Sequence, residues 1–263
     1  MSGSRNPHAP VPPEDSRPGA LRLRAMAPGR PLAHASCFSC PVREGTEWCD
    51  LPDEDLRLLN QSRVTNVYEP GQIVFYQGNP CLGIHCLESG LVALRNTDAQ
   101  GNSVIARLFH EGQTMGYLAY FAGRGYTGTA EALTRSQVCF VDRAVVRSLI
   151  EKHPTIGHRF LGRIADNLKD AEEKRLQSLT LPLRAQVAHL LLTLKDRFAV
   201  AADDGSLTLD LPMSRRDVAA MLGARPESLS RALKQLEESG AARFDGRTVV
   251  IPDLDALIDE VEL

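Results

Sequence analysis

The segment 212–247, PMSRRDVAAMLGARPESLSRALKQLEESGAARFDGR, constrains the fold more than any other part of the chain. Ser214 is placed to cap a helix predicted over 215–222, and Gly223 supplies a tight turn after it. A second helix is predicted from Pro226 to Ser239, with proline in the first turn, where its missing N–H leaves no donor unpaired. The segment therefore predicts two amphipathic helices joined by a short turn.

The residues after the second helix predict a wing. Gly240 ends that helix, and the turn Asp245–Gly246 leads into a strand predicted over 248–251. Together these features predict a winged helix-turn-helix, whereas the alternative is an ordinary helical hairpin with a polar face. The exposed start of the second helix carries four side chains that can reach base edges or phosphates: Glu227, Ser228, Ser230 and Arg231. Arg215 and Arg225 are also predicted to contact DNA.

Charge and composition place this unit in a globular protein. The 263-residue chain is 43% hydrophobic and has a net charge of −3, so it is not a general polyanion binder. Residues 212–251 hold more Arg and Lys than Asp and Glu, which suits site-specific DNA binding. The sequence shows no run of 18 apolar residues and no apolar signal core near its start, so we expect a cytoplasmic protein.

The whole chain divides by pattern into four parts. Residues 1–35 are rich in proline, and we expect a disordered tail there. Residues 36–152 hold a cysteine loop and then short apolar runs with turn signals every 8–12 residues, which predict an all-β roll or sandwich as a sensory domain. A long helix over 153–180 and the DNA-binding domain over 181–263 follow, so the fold class is α+β.

The long helix carries apolar residues spaced as in a short coiled-coil seam, namely Leu161, Ile164, Leu168 and Ala171. Such a stripe is more often plain core. Because this helix is long and stands between two domains, we expect it to form a homodimer interface instead.

The six cysteines indicate metal or redox chemistry, because a cytosolic chain has little use for structural disulfides. The spacing Cys37-x2-Cys40-x8-Cys49 puts three thiols on one loop, and a fourth thiolate would complete a set suited to a 4Fe–4S cluster or to zinc. Spacing alone does not separate these two. We expect Cys86 to be a small core residue and Cys81 to be partly exposed, with Cys81 as a possible replacement ligand.

In its order of domains, the chain resembles the CRP/FNR family of bacterial transcription regulators. The motifs EPGQIVFYQGNP, LESGLVAL and HEGQTMGYLAYF are similar to the family's cyclic-nucleotide-binding jelly roll, and FDGRTVVI is similar to its wing. The recognition residues ESLSR resemble the FNR branch. The resemblance implies that Glu227, Ser230 and Arg231 read a palindrome close to TTGAT-N4-ATCAA, that a dimer binds this double-stranded DNA, and that RNA polymerase is a partner.

The FNR-like layout of cysteines implies a 4Fe–4S cluster that senses oxygen or nitric oxide. By resemblance the ligands are Cys37, Cys40, Cys49 and, late in the roll, Cys139. The eight-residue gap before Cys49 is longer than in FNR, which leaves the third ligand open. A structural zinc site or a thiol–disulfide switch with an unidentified effector is the alternative.

Two function classes are disfavoured by what the sequence lacks. The family's phosphate clamp, a Gly–Glu pair followed by Arg–Ser, is replaced by Met115-Gly116-Tyr117-Leu118 and later Tyr126-Thr127-Gly128-Thr129. A cyclic nucleotide would therefore lack its bidentate arginine. The sequence also shows no nucleophile–base arrangement, phosphate loop or carboxylate pair, so we do not expect an enzyme.

Overall fold

The computed structural model describes residues 36–262; the predicted disordered tail lies outside them. Eight strands build the first domain because short apolar runs alternate with glycine turns. These strands are β1 Val64–Tyr68, β2 Ile73–Phe75, β3 Gly83–Ser89, β4 Leu91–Thr97, β5 Ser103–His110, β6 Thr114–Met115, β7 Thr129–Ala132 and β8 Ser136–Asp142.

The eight strands form two antiparallel sheets, in the orders β1-β8-β3-β6 and β2-β7-β4-β5. Inward residues such as Leu87 of β3 and Val92 of β4 are fully buried between the sheets. The turn at Gly90 needs glycine, because its φ is 96° and an added Cβ would lie 2.4 Å from Ser136 Oγ. The expectation of an all-β roll is confirmed.

Helices cover one end of the roll and lead away from it. A short 3-10 helix, Arg43–Gly45, lies in the cysteine loop, and four α-helices follow: α1 Asp53–Ser62, α2 Tyr117–Ala122, α3 Arg143–Lys152 and α4 Pro154–Thr180. Asp142 caps α3 by accepting from the Ala144 N–H, and Pro154 opens α4. Ile156 and Phe160, in the first turns of α4, are buried against the roll.

The C-terminal region contains the two helices and the wing that the sequence predicts. Its elements are α5 Leu183–Phe198, β9 Ala199–Ala201, β10 Leu207–Asp210, α6 Arg215–Met221, α7 Pro226–Glu238, β11 Arg243–Asp245, β12 Thr248–Ile251 and α8 Leu254–Glu262. Ser214 caps α6 as predicted, and the side chain of Asp217 bonds back to Ser214 to form a reciprocal capping box. The strands order β11-β12-β10-β9 into one antiparallel sheet.

The DNA-binding unit packs on the outer face of the second sheet of the roll. Ala93 and Ile105 of that sheet belong to the same apolar cluster as the core of the C-terminal region. Beside them Arg95 of β4 pairs with Asp217 of α6 at 2.7 Å and also with Glu131 of β7. Across residues 36–262 no helix has the length and apolar character to cross a membrane.

Candidate metal centre and nucleic-acid interface

Four cysteines line one pocket between the N-terminal loop and the first sheet, and we call it the cysteine pocket. Cys37 and Cys40 come from the loop, Cys86 from β3 and Cys139 from β8. The remaining lining residues are Val42, Arg43, Thr46, Trp48, Leu59, Arg63, Glu88 and Val141. The pocket therefore gathers thiols that are up to about a hundred residues apart in the sequence.

Local hydrogen bonds hold the loop over the sheet. The Cys37 N–H donates to Asn60 Oδ1 of α1 at 2.8 Å. Within the loop the Arg43 N–H donates to Cys40 O, and Thr46 Oγ1 donates to Arg43 O at 2.7 Å. The tight turns that these bonds close direct both loop thiols at the sheet.

The sheet side of the pocket is set by strand register. Cys86 of β3 stands directly opposite Cys139 of β8, so both side chains lie on the same face of the sheet. His85 projects to the other face, where its ring contacts Phe75 and Tyr126. His85 and Cys86 therefore do not share a site.

Burial makes the pocket thiols weak acids. It raises the pKa of Cys37, of Cys40 and of Cys86, and raises that of Cys139 to about 11. Arg63, with Nη1 3.5 Å from Cys139 Sγ, opposes the effect at Cys37 and Cys139. At neutral pH these thiols are protonated, and a bound metal must displace their protons.

Three of the four predicted ligands meet in the pocket. Cys37, Cys40 and Cys139 line it, whereas Cys49 is not among the lining residues in the described part of the chain. Cys49 is half-buried, and its carbonyl accepts a hydrogen bond from Arg43 Nη1. The expectation that Cys81 is partly exposed is wrong: it is 6% exposed, and its Sγ donates to Gly83 O inside the roll.

The donor atoms and the volume of the cysteine pocket can be compared with what a metal group needs. Four thiols around one space are the donor set that zinc and iron–sulfur clusters take. The cavity volume is about 40 Å³, which is room for a few water molecules. Within residues 36–262, no three His, Cys, Asp or Glu side chains are grouped to hold an ion as they stand. The donors fit the group, and the loop has to move outward to admit a cluster.

The cysteine loop is also tied to the long helix α4. The carboxylate of Glu47 is 1% exposed, pairs with Arg163 and accepts from Thr114 Oγ1 at 2.5 Å. Arg159 Nη1 donates to Glu47 O at 3.2 Å, and Arg159 pairs with Asp50. The ring of Trp48 packs edge-on against Phe160 of α4. The cysteine loop is therefore in direct contact with this helix.

The position of the missing phosphate clamp is filled by aromatic side chains. Tyr117 is 1% exposed, and its hydroxyl accepts hydrogen bonds from Arg107 and from Asn167 of α4. Tyr126 stacks on Phe75 with ring centroids 4.0 Å apart. Both tyrosines belong to the two segments that, by resemblance to the family, correspond to its phosphate clamp.

The predicted DNA-contacting side chains lie on the outer face of α7 and beside it. Glu227, Ser228, Ser230 and Arg231 are exposed, while Leu229 and Leu233 on the opposite face are buried. Arg225 is exposed just before α7, and Arg215 Nε donates to Gly246 O of the wing turn at 3.3 Å. The arrangement presents a polar helix face beside a wing.

The predicted dimer residues of α4 are divided between two environments. Leu161 and Leu168 are 62% and 61% exposed, and Ala171 is exposed as well. Ile164, by contrast, packs partly against the core of its own roll. Leu176 and Leu179 extend the exposed apolar row toward the end of the helix.

Known families and relatives match the chain over both domains. Residues 65–153 match the cyclic nucleotide-binding domain family, and residues 185–260 match the Crp-like helix-turn-helix domain family. The HTH-type transcriptional regulator Cmr of Mycobacterium tuberculosis is 27% identical over 247 residues, which are 92% of this chain and 96% of that protein. The transcriptional activator protein FnrL of Cereibacter sphaeroides is 27% identical over 232 residues, 85% of this chain and 91% of that protein.

Solved structures show the same architecture. FixK2 from Bradyrhizobium japonicum superposes with a TM-score of 0.65 at 25% identity, and the match covers 75% of this chain and 96% of that one. The regulator TTHB099 from Thermus thermophilus, described as of the CRP family, gives a TM-score of 0.64 at 25% identity and covers 75% of this chain and 97% of that one.

Proposed function

Since the chain belongs to the CRP/FNR family of DNA-binding transcription regulators, we propose that it senses oxygen or nitric oxide through a 4Fe–4S cluster at the cysteine pocket. Cys37, Cys40 and Cys139 would hold the cluster, together with a fourth thiol. The sequence predicts Cys49 as that fourth thiol, and Cys86 is the other candidate. When bound, a 4Fe–4S cluster supplies a redox-reactive centre whose state oxygen or nitric oxide changes.

One observation carries the proposal: the loop that supplies Cys37 and Cys40 is the loop that Arg159 and Arg163 fasten to α4. Thiolate bonds between this loop and the sheet would fix the loop's position. Loss of those bonds would release it, together with the buried Glu47 contacts on α4. The chain's own residues thus connect the state of the pocket to the helix that leads to the DNA-binding unit.

The output is DNA binding by a homodimer paired along α4. Glu227, Ser230 and Arg231 would read each half of a palindrome close to TTGAT-N4-ATCAA, with Arg on guanine and Glu on cytosine. Ser228, Arg215 and Arg225 would contact neighbouring phosphates or bases. Two recognition helices must meet the same face of the DNA, so the orientation of the α4 pair sets the spacing that they can reach. RNA polymerase is the proposed protein partner at the promoter.

The test is anaerobic isolation of the protein, with iron and acid-labile sulfide measured per chain. We expect about four of each, and broad thiolate-to-iron absorption in the visible spectrum. Binding to the palindrome is then measured before and after a short exposure to air or to nitric oxide. Protein that contains iron and sulfide and whose affinity changes on exposure supports the proposal. Colourless protein without iron contradicts it.

A structural zinc site is the second candidate, favoured by one observation. A cavity of about 40 Å³ takes a single ion with less movement of the loop than a cluster needs. The same isolation distinguishes the two, because a zinc protein contains about one zinc per chain and no sulfide. A thiol–disulfide switch would contain neither metal, and would change in free-thiol content on exposure to air.

A further inference from the structure

We propose that Cys86, and not Cys49, is the fourth thiolate ligand at the cysteine pocket. The inference rests on the proposed function, in that it takes the pocket to bind a metal centre. It changes the ligand set from three loop cysteines and one sheet cysteine to two of each, and it follows from the placement of four side chains.

The first step is the register of β3 and β8. The Arg143 N–H donates to Leu82 O at 2.8 Å, so these two residues are a hydrogen-bonded pair. Hydrogen-bonded pairs recur at every second position of an antiparallel ladder, so Cys86 and Cys139, four positions along, are such a pair too. The Cβ atoms of directly opposite residues lie about 4.5–5.5 Å apart, which is wider than the roughly 3.8 Å of a disulfide. Two thiolates on one metal, each with a bond of about 2.3 Å, stand farther apart than bonded sulfurs and suit this separation.

The second step is the hydrogen bond that Cys86 receives. Trp48 Nε1 donates to Cys86 Sγ at 3.2 Å, from the same loop that carries Cys37 and Cys40. Donors to sulfur stabilise a metal-bound thiolate and tune its centre. Thr114 Oγ1 lies 4.0 Å from the same sulfur. Cys86 therefore has polar neighbours that a plain core cysteine would not need.

The third step concerns the residues on either side of Cys49. Trp48 is 3% exposed, and its ring contacts Phe160 while its Nε1 reaches Cys86. Asp50 pairs with Arg159 of α4. Turning Cys49 into the pocket would pull both neighbours away from these partners, whereas Cys86 already lines the pocket and needs no such movement.

The experiment counts thiolates with Cd²⁺ as the probe, because its thiolate charge-transfer absorbance rises with each Cys ligand. Full-length protein is freed of metal, reduced and titrated anaerobically as wild type, Cys86→Ala and Cys49→Ala. Cys81→Ala is the matched control, since it removes a buried thiol from the same roll outside the pocket. Thermal unfolding of each metal-free variant checks that it folds.

We expect Cys86→Ala to lose about a quarter of the end-point absorbance, as four thiolates become three, with at least a tenfold weaker Cd²⁺ affinity. Cys49→Ala and Cys81→Ala should match wild type. Quenching of Trp48, the sole tryptophan of the chain, gives a second readout that should be altered in Cys86→Ala alone. If Cys86→Ala fails to fold, the result for Cys49→Ala still decides.

If the Cys49→Ala variant loses a thiolate, the inference is overturned, whether or not the Cys86→Ala variant loses one as well. Unchanged absorbance in Cys86→Ala also overturns it. Each of these results leaves the sensory proposal intact if the isolated wild type contains iron and sulfide. Conversely, a four-thiolate Cd²⁺ site that includes Cys86, in protein isolated without iron, supports the inference and removes the sensory proposal.

Discussion

Arg231 stands on the outer face of α7, where exposure leaves it available to a base edge. Replacing it with alanine should cost about 1–3 kcal/mol of binding to the palindrome and relax discrimination at the guanine. Lys234→Ala is the control, because Lys234 is exposed one turn later and pairs with Glu238. Competition binding with single-base variants of the site measures both. Equal losses on specific and random DNA would show that Arg231 contacts phosphate only.

Asp55 of α1 gives the stability of the fold a dependence on acid. Hydrogen bonds from Lys152 and then from His153 hold the pKa of this buried carboxyl below its usual range. Because the folded pKa is depressed, its stabilising contribution is present above the usual value of about 3.9 and is lost as pH falls through the folded value.

Asp55→Asn should therefore lower the urea midpoint at pH 6–7, and the gap from wild type should narrow below about pH 4. Asp53→Asn, on the exposed side of the same helix turn, should leave the midpoint nearly unchanged. A gap that stays constant from pH 7 to pH 3 would mean that the carboxyl is not ionised in the folded protein at neutral pH.

The candidate ligands show what the sequence could reveal at this scale and what it could not. Cys37 and Cys40 can be predicted as ligands from their spacing, since the two intervening residues make one tight turn. Cys86 carries no such signal, because its partner Cys139 is 53 positions away and only the β3–β8 register brings them together. Trp48 and Glu47 were missed for the same reason: their partners lie on other elements.

At the scale of elements, one of the contacts that attach the cysteine loop to α4 is a buried ion pair, Glu47–Arg163. Arg163→Met leaves the Glu47 carboxylate buried with Thr114 alone, which should cost roughly 3 kcal/mol of unfolding free energy. Loosening of the loop should also shift Trp48 emission to the red as water reaches the ring. Arg175→Met, on the exposed part of the same helix, is the control. Unchanged emission in Arg163→Met would show that Phe160 and the hydrogen bonds of the loop hold it without this pair.

Elements with strong local signals were predicted well from the sequence. α4 begins one residue after its predicted start and ends where predicted, α7 differs from its prediction by one residue at its end, and β12 coincides with the predicted wing strand. β9, β10 and α8 were not predicted. β9 and β10 are short and gain their stability from pairing with each other and with β12, so tertiary context decides them.

At the scale of the whole molecule, Arg95 adds an ion pair to the apolar contact between the DNA-binding unit and the roll. This side chain is 18% exposed and joins Glu131 of its own sheet to Asp217 of α6. Arg95→Met should loosen the docking and increase protease cleavage in the connection between α4 and α5, which joins the roll to the DNA-binding unit. Asp217 keeps its capping role in this variant, so α6 remains folded.

Arg135→Met is the control for Arg95→Met, because it breaks an ion pair with Glu69 in which both side chains are more than half exposed. An exposed pair of this kind contributes about 0–1 kcal/mol, so cleavage should stay at the wild-type rate. If both variants resist cleavage equally, the apolar contact of Ala93 and Ile105 holds the two domains together without the ion pair.

We expect the homodimer to form through the apolar row of α4, which the fold of one chain leaves exposed. Leu161, Leu168, Leu176 and Leu179 are each more than 60% exposed, and pairing two such helices buries this surface at about 25 cal/mol per Å². Leu168→Arg puts a charge in the middle of the row and should convert dimer to monomer in sedimentation at micromolar concentration. Leu118→Arg, 42% exposed on α2, should leave the dimer intact. If wild type and Leu168→Arg both sediment as dimers, the chains pair through another surface. The spacing of the recognition helices is then not set by α4.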